Sequence, residues 1–223
     1  MESEGRVLLV NKPLEWTSFD VVNKLRYKLK TKKVGHAGTL DPLATGLLII
    51  CTGKMTKRID EFQAQEKEYT GKFVLGQSTP SHDLETPVSE AQDISAITEN
   101  EIHAATQKFI GAIRQVPPLH SAIKVDGKRA YKLARKGKEV ELKPREVFIK
   151  EFEITNIDKP VIAFRVVCSK GTYIRSLARD FGQTLGTVAF LSELCRTRIG
   201  EFKLADALTI DQVLPLSTNE NLS

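Results

Sequence analysis

The chain has 223 residues, 41% of them hydrophobic and 27% charged, with 33 Lys and Arg against 28 Asp and Glu. That profile excludes a disordered or low-complexity chain and leaves room for a sizeable core. The longest uncharged apolar stretch, residues 42–53, is too short for a bilayer helix, and residues 1–6 carry two acids and no apolar segment of a secretory signal.

In chain order, residues 7–10 read as a strand. Residues 17–30 read as a helix: Thr17-x-x-Asp20 has the form of a capping box, and Val21, Val22, Leu25 and Leu29 make an apolar stripe. Its other face is basic. Residues 24–33 hold six Lys and Arg and no acid. Residues 47–51 and 68–75 read as strands. Thr98-x-x-Glu101 opens a second helix with Ile102, Ala105, Phe109 and Ile113 on one side. Residues 115–144, with Pro117-Pro118 and dense charge, read as a long excursion from the core. Within 124–145 there are nine Lys and Arg against three acids. Both basic clusters fit a phosphate-binding surface, and equally a solvated helix face and a charged loop. Residues 147–154 and 161–168 read as strands. Tyr173 to Leu185 reads as a third helix, with Gly186 placed to end it. Strands and helices mix without a strand–helix rhythm, which predicts an α+β fold on a mixed or antiparallel sheet.

Several chemistries are excluded by motif. Gly53-Lys54-Met55 fails a P-loop at both ends, and G-x-S-x-G, H-E-x-x-H and the zinc deaminase signature do not occur. His36, His82, His103 and His120 share no ligand-like spacing. Cys51, Cys168 and Cys195 lie far apart and read as buried thiols of a reducing compartment, the cytoplasm.

The unusual segment is 34–46, which packs Gly35, Gly38, Gly46, Pro42, two Thr, His36 and Asp41 between a basic helix and an apolar strand. The glycines permit left-handed backbone and close approach of a ligand. Pro42 restricts Asp41 to extended conformations, so one carboxylate is presented at a fixed angle. The same composition also fits a structural turn whose Asp caps a helix.

G-H-A-G-T-L-D-P-L-A-T-G, beginning at Gly35, closely resembles the catalytic motif of the TruB family of tRNA pseudouridine-55 synthases. Collinear segments agree: Asn11-Lys12-Pro13 with Thr17-Ser18, Lys67-Glu68-Tyr69, Val116-Pro117-Pro118 with Ser121-Ala122-Ile123-Lys124, the run from Cys168 to Arg175, and the run from Leu194 to Gly200. The resemblance spans about residues 9–200 and implies the pseudouridine synthase core, a mixed sheet with flanking helices. It implies an isomerase that flips a T-loop uridine of tRNA, at position 55, into a pocket and needs neither metal nor organic cofactor.

The resemblance also implies the roles. Asp41 is the nucleophile, and an ion pair with Arg175 would hold its carboxyl below the ordinary range; taken alone, Arg175 also fits a surface salt bridge. Tyr69 stacks on the uracil. Tyr173 and Leu194 line the pocket, and His36 fills the gap left by the flipped nucleotide. The insertion at about 115–145 grips the T-stem loop, with Lys124, Lys128, Arg129 and Lys132, together with Lys12, as RNA contacts. The expected organisation is a catalytic domain over 1–200 and a short tail over 201–223 without a full PUA-like module, in a monomer.

The chain departs from the family pattern in places. Glu15 stands where most relatives have Gly, residues 79–83 replace a Thr-Asp-Thr-x-Asp run, His120 replaces a Tyr, and Cys195 replaces an Arg. The alternatives are a relative guided by accessory RNA and proteins, and a tRNA-binding chaperone with vestigial catalysis.

Overall fold

The computed structural model describes residues 5–119, 124–125, 128–129 and 142–214. The chain divides into two compact units, one of Met1–Lys67 with Cys195–Ser223 and one of Glu68–Leu194.

In the first unit, β1 (Val7–Lys12), β2 (Val34–Ala37) and β3 (Ala44–Thr52) surround the unusual segment. β3 pairs antiparallel with β1 from Val7↔Cys51 to Lys12↔Gly46, and with β2 from Val34↔Thr52 to Ala37↔Ile49. The strand order is β1-β3-β10, where β10 is Ala189–Ile199, and an isolated parallel bridge joins Val10 to Leu208. The continuous apolar run of β3 is that of a strand covered on both faces. Leu48 and Ile50 pack with Val10 and with Val21, Val22, Leu25 and Leu29 of α1 (Ser18–Lys28). Leu47, Ile49 and Cys51 pack with Ala37, Ile199 and Phe62 of α2 (Ile59–Ala64). The capping box that opens α1 forms as expected: Asp20 N donates to Thr17 Oγ1 at 3.0 Å and Thr17 N to Asp20 Oδ2 at 2.8 Å. Near its end, Lys28 Nζ donates to the Ile210 and Asp211 carbonyls at 3.0 and 2.6 Å.

In the second unit the strand order is β10-β4-β9-β8-β5, with β4 at Lys67–Leu75, β5 at Gly111–Gln115, β8 at Arg145–Asp158 and β9 at Val161–Cys168. β8 pairs antiparallel with both β5 and β9. Ile162, Phe164, Val166 and Cys168 all face inward, as their alternation requires. Phe73 of β4 stacks on Phe164 at 4.1 Å between centroids, and Phe152 and Phe181 close an aromatic core around the pair. Phe181 belongs to α4 (Ile174–Thr184), whose cap residues Tyr173 and Leu185 lie where the sequence places them. Residues Lys124–Val125 (β6) and Lys128–Arg129 (β7) form a two-stranded antiparallel ribbon. The architecture is α+β with a mixed sheet and flanking helices.

One helix is shorter than its pattern. α3 covers Glu99–Thr106, a 3₁₀ turn follows at Gln107–Phe109, and Ile113 lies in β5 opposite Val147. Gly111, with φ of +96°, turns the chain out of the helix. Phe109 keeps its place in the core, so the apolar spacing marks burial across a change of element. β2, α2 and β10 had no clear signal. In β10 the polar residues Ser192, Glu193, Arg196 and Arg198 hide the strand.

Candidate active site

In the first unit, Asp41 sits half-buried on the turn between β2 and β3, where its carbonyl accepts from Ala44 N at 3.0 Å. Ser18 Oγ, on the first turn of α1, accepts from Leu40 N at 2.9 Å and donates to Leu40 O at 3.2 Å. The Pro42 carbonyl accepts from Glu15 N at 2.9 Å and from Lys12 Nζ at 3.3 Å. Arg196 of β10, 1% exposed, donates from Nε to Leu47 O at 2.8 Å and from Nη2 to Gly38 O at 3.1 Å. One guanidinium thus ties the backbone on both sides of Asp41. A backbone turn pinned this way holds the side chain it carries in a fixed place.

The glycines of the segment serve this packing. A Cβ on Gly46, whose φ is +101°, would lie 2.4 Å from the Arg196 carbonyl oxygen, and one on Gly35 would lie 2.6 Å from Ile59 Cδ1. The close approach at these two positions is therefore that of β10 and α2, not of a ligand. Gly38 takes a φ of +85°, a conformation that carries the chain from β2 into the turn.

Lys12 is not on the RNA-facing surface where the sequence placed it. Its side chain is 0% exposed, and Nζ donates to the carbonyls of Pro13 at 2.9 Å, of Trp16 and of Pro42. An ammonium with its donors on three carbonyls braces the turn and has none left for a phosphate. Burial pushes its pKa down to about 8; Asp41 and Asp20 oppose that shift and Arg196 adds to it. In the unfolded chain Lys12 keeps its proton up to 10.5, so between about 8 and 10.5 the unfolded state binds more protons, and this group adds stability as pH rises. Over the same range the cation beside Asp41 is lost. Turnover is therefore expected to fall above about pH 8 without a matching loss of fold. A pH–kcat profile of wild type against Lys12→Met checks this: the alkaline limb attributable to Lys12 is absent from the variant.

His36 lies on β2 opposite Ile50, half-buried, with Nδ1 enclosed and lacking a hydrogen-bond partner among the described residues. Burial, then the Arg196 charge, holds its pKa below the ordinary value against the opposing pull of the Gly38 backbone, so the ring is neutral at pH 7.

Glu15 takes a φ of +65°, a left-handed conformation that is costly for a side chain with a Cβ and free for glycine. Glu15→Gly is expected to raise stability by about 0.5–1 kcal/mol, the relief of left-handed strain less the added chain entropy. Urea unfolding checks it, and an unchanged or lowered midpoint would show that the Glu15 side chain offsets its strain.

In the second unit, Tyr69 is buried on β4, Leu194 is half-buried on β10, and Tyr173 and Arg175 stand at the start of α4. Gln115 grips the Tyr173 backbone in both directions, donating to its carbonyl at 3.1 Å and accepting from its N–H at 2.8 Å. Ser176 Oγ donates to the Val116 carbonyl at 2.8 Å. Arg175 is only 4% exposed, so it is no surface salt bridge: its Nε lies 3.4 Å from Asp83 Oδ2, and Nη1 donates to the Ser81 carbonyl at 3.3 Å.

Asp83, the partner of Arg175, is a residue that the sequence did not single out. The signal was present, because it ends the 79–83 run compared with the family pattern. Thr79 and Ser81 hydroxyls donate to the Asp83 carbonyl at 2.6 and 3.1 Å, Asp83 Oδ1 accepts from Glu85 N at 3.0 Å, and His82 takes a φ of +61°. The altered residues thus still build a loop that aims a buried carboxylate at Arg175. Of the basic insertion, Lys124, Lys128 and Arg129 lie on the β6–β7 ribbon, and Lys132 lies outside the described residues. Among the described residues no helix is long and apolar enough to cross a membrane.

Comparison with known proteins places the chain in a family. Residues 26–174 match the model of the TruB family pseudouridylate synthase N-terminal domain, and residues 175–222 that of the tRNA pseudouridylate synthase B C-terminal domain. The chain is 55% identical to tRNA pseudouridine synthase B of Parabacteroides distasonis over 94% of its own length and 92% of the relative's. It is 54% identical to the protein of that name from Flavobacterium johnsoniae, over 93% of each. Among solved structures it is similar to a chain of a Cbf5–Nop10–Gar1 complex, with 31% identity and a TM-score of 0.72, over 92% of this chain and 53% of that one. A similar match is to an H/ACA RNP bound to a substrate RNA containing 2′-deoxyuridine, with 29% identity and a TM-score of 0.69, over 92% and 51%. The chain spans about half the length of those two structures' chains.

Proposed function

The chain belongs to the TruB family of pseudouridylate synthases, and we propose that it isomerises uridine 55 in the T-stem loop of tRNA, with Asp41 as nucleophile. The observation that carries this reading is the turn on which Asp41 sits, braced by Arg196, Lys12 and Ser18 from three directions. Isomerisation breaks the N1–C1′ bond of the uridine, rotates the base and joins C5 to C1′. The C5 proton leaves and N1 gains one, so the reaction balances without an external oxidant, reductant or co-substrate. Asp41 acts as the carboxylate, and the Lys12 ammonium lies close enough to interact with its charge.

Family correspondence supplies the other roles. Tyr69 stacks on the flipped uracil and assists proton removal from C5, Tyr173 and Leu194 flank the base, and Arg175 supplies a fixed cation held by Asp83. Neutral His36 takes the space that the flipped nucleotide leaves, where a charged ring would pay more for desolvation. The β6–β7 ribbon, within the insertion at 115–145, grips the T-stem. Residues 1–200 are read as the catalytic domain and 201–223 as a short tail, in a cytoplasmic monomer.

Tritium release from tRNA labelled with [5-³H]uridine tests the reaction. Wild-type protein is expected to release one equivalent per tRNA, unaffected by EDTA, and to release none from a transcript with cytidine at position 55. Tight tRNA binding without release would sink the enzyme reading and leave a binding protein.

A further inference from the structure

α1 has a second face that the core does not use. Val21, Val22, Leu25 and Leu29 point into the first unit's core, whereas Phe19, Asn23 and Tyr27, at i, i+4 and i+8, share the outward side. Phe19 is 60% exposed and Tyr27 88%. One exposed aromatic is ordinary, but two in a single stripe are accompanied here by Lys24 and Arg26 of the helix and by Lys30 just past its end. No acid occurs between Val21 and Leu40, and Asp20, just before them, is occupied in the capping box. Lys28 is excluded from the count, because its ammonium is spent on the Ile210 and Asp211 carbonyls.

The position of this stripe gives it meaning. Ser18, in the first turn of α1, is hydrogen-bonded to Leu40, the neighbour of Asp41. The stripe therefore starts beside the catalytic turn and runs away from it for about 12 Å, eight residues at about 1.5 Å each. Lys24 also stands at the rim of a cleft of about 760 Å³ whose walls include Asn11, Pro13 and Trp16, so part of its charge borders a concavity.

We propose that the outward face of α1 is a track for the RNA strand that flanks the target uridine. Phe19 and Tyr27 offer faces for bases to stack on, while Lys24, Arg26 and Lys30 meet successive phosphates. Aromatic platforms along a positive groove are the way single strands are held without sequence readout. A protein partner fits worse, since interface cores are depleted in lysine and this face carries cations on both flanks. The proposal rests on the tRNA reading above.

The test uses full-length tRNA and two variants of exposed residues, the double variant Lys24→Gln with Lys30→Gln and the single variant Tyr27→Ala. Removing two phosphate contacts should lower the slope of log affinity against log salt by about 1.4–1.8. Removing the ring should weaken binding roughly 5- to 160-fold at every salt concentration. In both variants KM rises and kcat at saturation stays at the wild-type value. An unchanged KM and salt slope would overturn the track, and so would a fallen kcat at unchanged KM, which would mean that α1 only supports the catalytic turn. Binding and salt slope remain readable even if wild type releases no tritium, so failure of the reaction assignment is distinguishable from failure of this surface.

Discussion

Asp41→Asn is expected to bind tRNA within a few-fold of wild type and to release no tritium above background, a loss of at least about 10⁴ in kcat. The substitution keeps the shape of the side chain. It also keeps the turn, because the Asp41 carbonyl that accepts from Ala44 N and the neighbouring bonds to Leu40 and Pro42 are all made with backbone atoms. What it removes is the negative charge and the nucleophilic oxygen. A further consequence follows for Lys12, whose pKa of about 8 already includes an upward pull from Asp41. Without that pull the buried ammonium becomes harder to keep charged, so the urea midpoint at pH 7 falls slightly. Release by Asp41→Asn at even a tenth of the wild-type rate would remove Asp41 from the nucleophile's role. Loss of tRNA affinity together with release would instead point to a collapsed turn.

The frame was legible wherever one residue pattern had one physical solution. The Thr17/Asp20 box fixes the start of α1, the apolar run of β3 can only be a strand covered on both sides, and Ile162 to Cys168 alternate as one half-buried strand must. The residues around Asp41 were legible only in part. Their composition fits a plain turn as well as a catalytic one, and the family motif chose between the two. Glu15 is a case where the departure itself was informative, since a φ of +65° is what a missing glycine would predict.

The rest was illegible for a common reason. Lysine and arginine default to solvent, and nothing local in Asn11-Lys12-Pro13 or Cys195-Arg196-Thr197 says that the charge is enclosed and spent on carbonyls. That information lies in contacts made across long stretches of chain: Lys12 with Pro42, Arg196 with Gly38 and Leu47, Arg175 with Asp83. Three cations that a charge count assigns to the surface are instead buried, Lys12 and Arg196 on carbonyls of the first unit and Arg175 beside Asp83 in the second.

Arg196 is the brace whose removal should cost most after Asp41 itself. Arg196→Met preserves much of the side-chain length but leaves the Gly38 and Leu47 carbonyls without their donors, a penalty of about 1–3 kcal/mol each where water cannot replace them. The variant is expected to unfold at lower urea and, at temperatures where it remains folded, to lose roughly 100-fold in kcat with little change in KM. A turn free to shift by about 1 Å misplaces the carboxylate and leaves RNA binding largely intact. Arg196→Lys restores the charge and reaches one carbonyl, so it should recover part of both losses. The titration of His36, followed by NMR, separates bracing from mere packing. Arg196 contributes to holding the His36 pKa down, so in Arg196→Met the midpoint moves up towards the ordinary 6.5, while in Arg196→Lys it stays lower. If kcat per folded molecule is unchanged in Arg196→Met, Arg196 serves stability alone, and the positioning of Asp41 must come from Ser18 and Lys12.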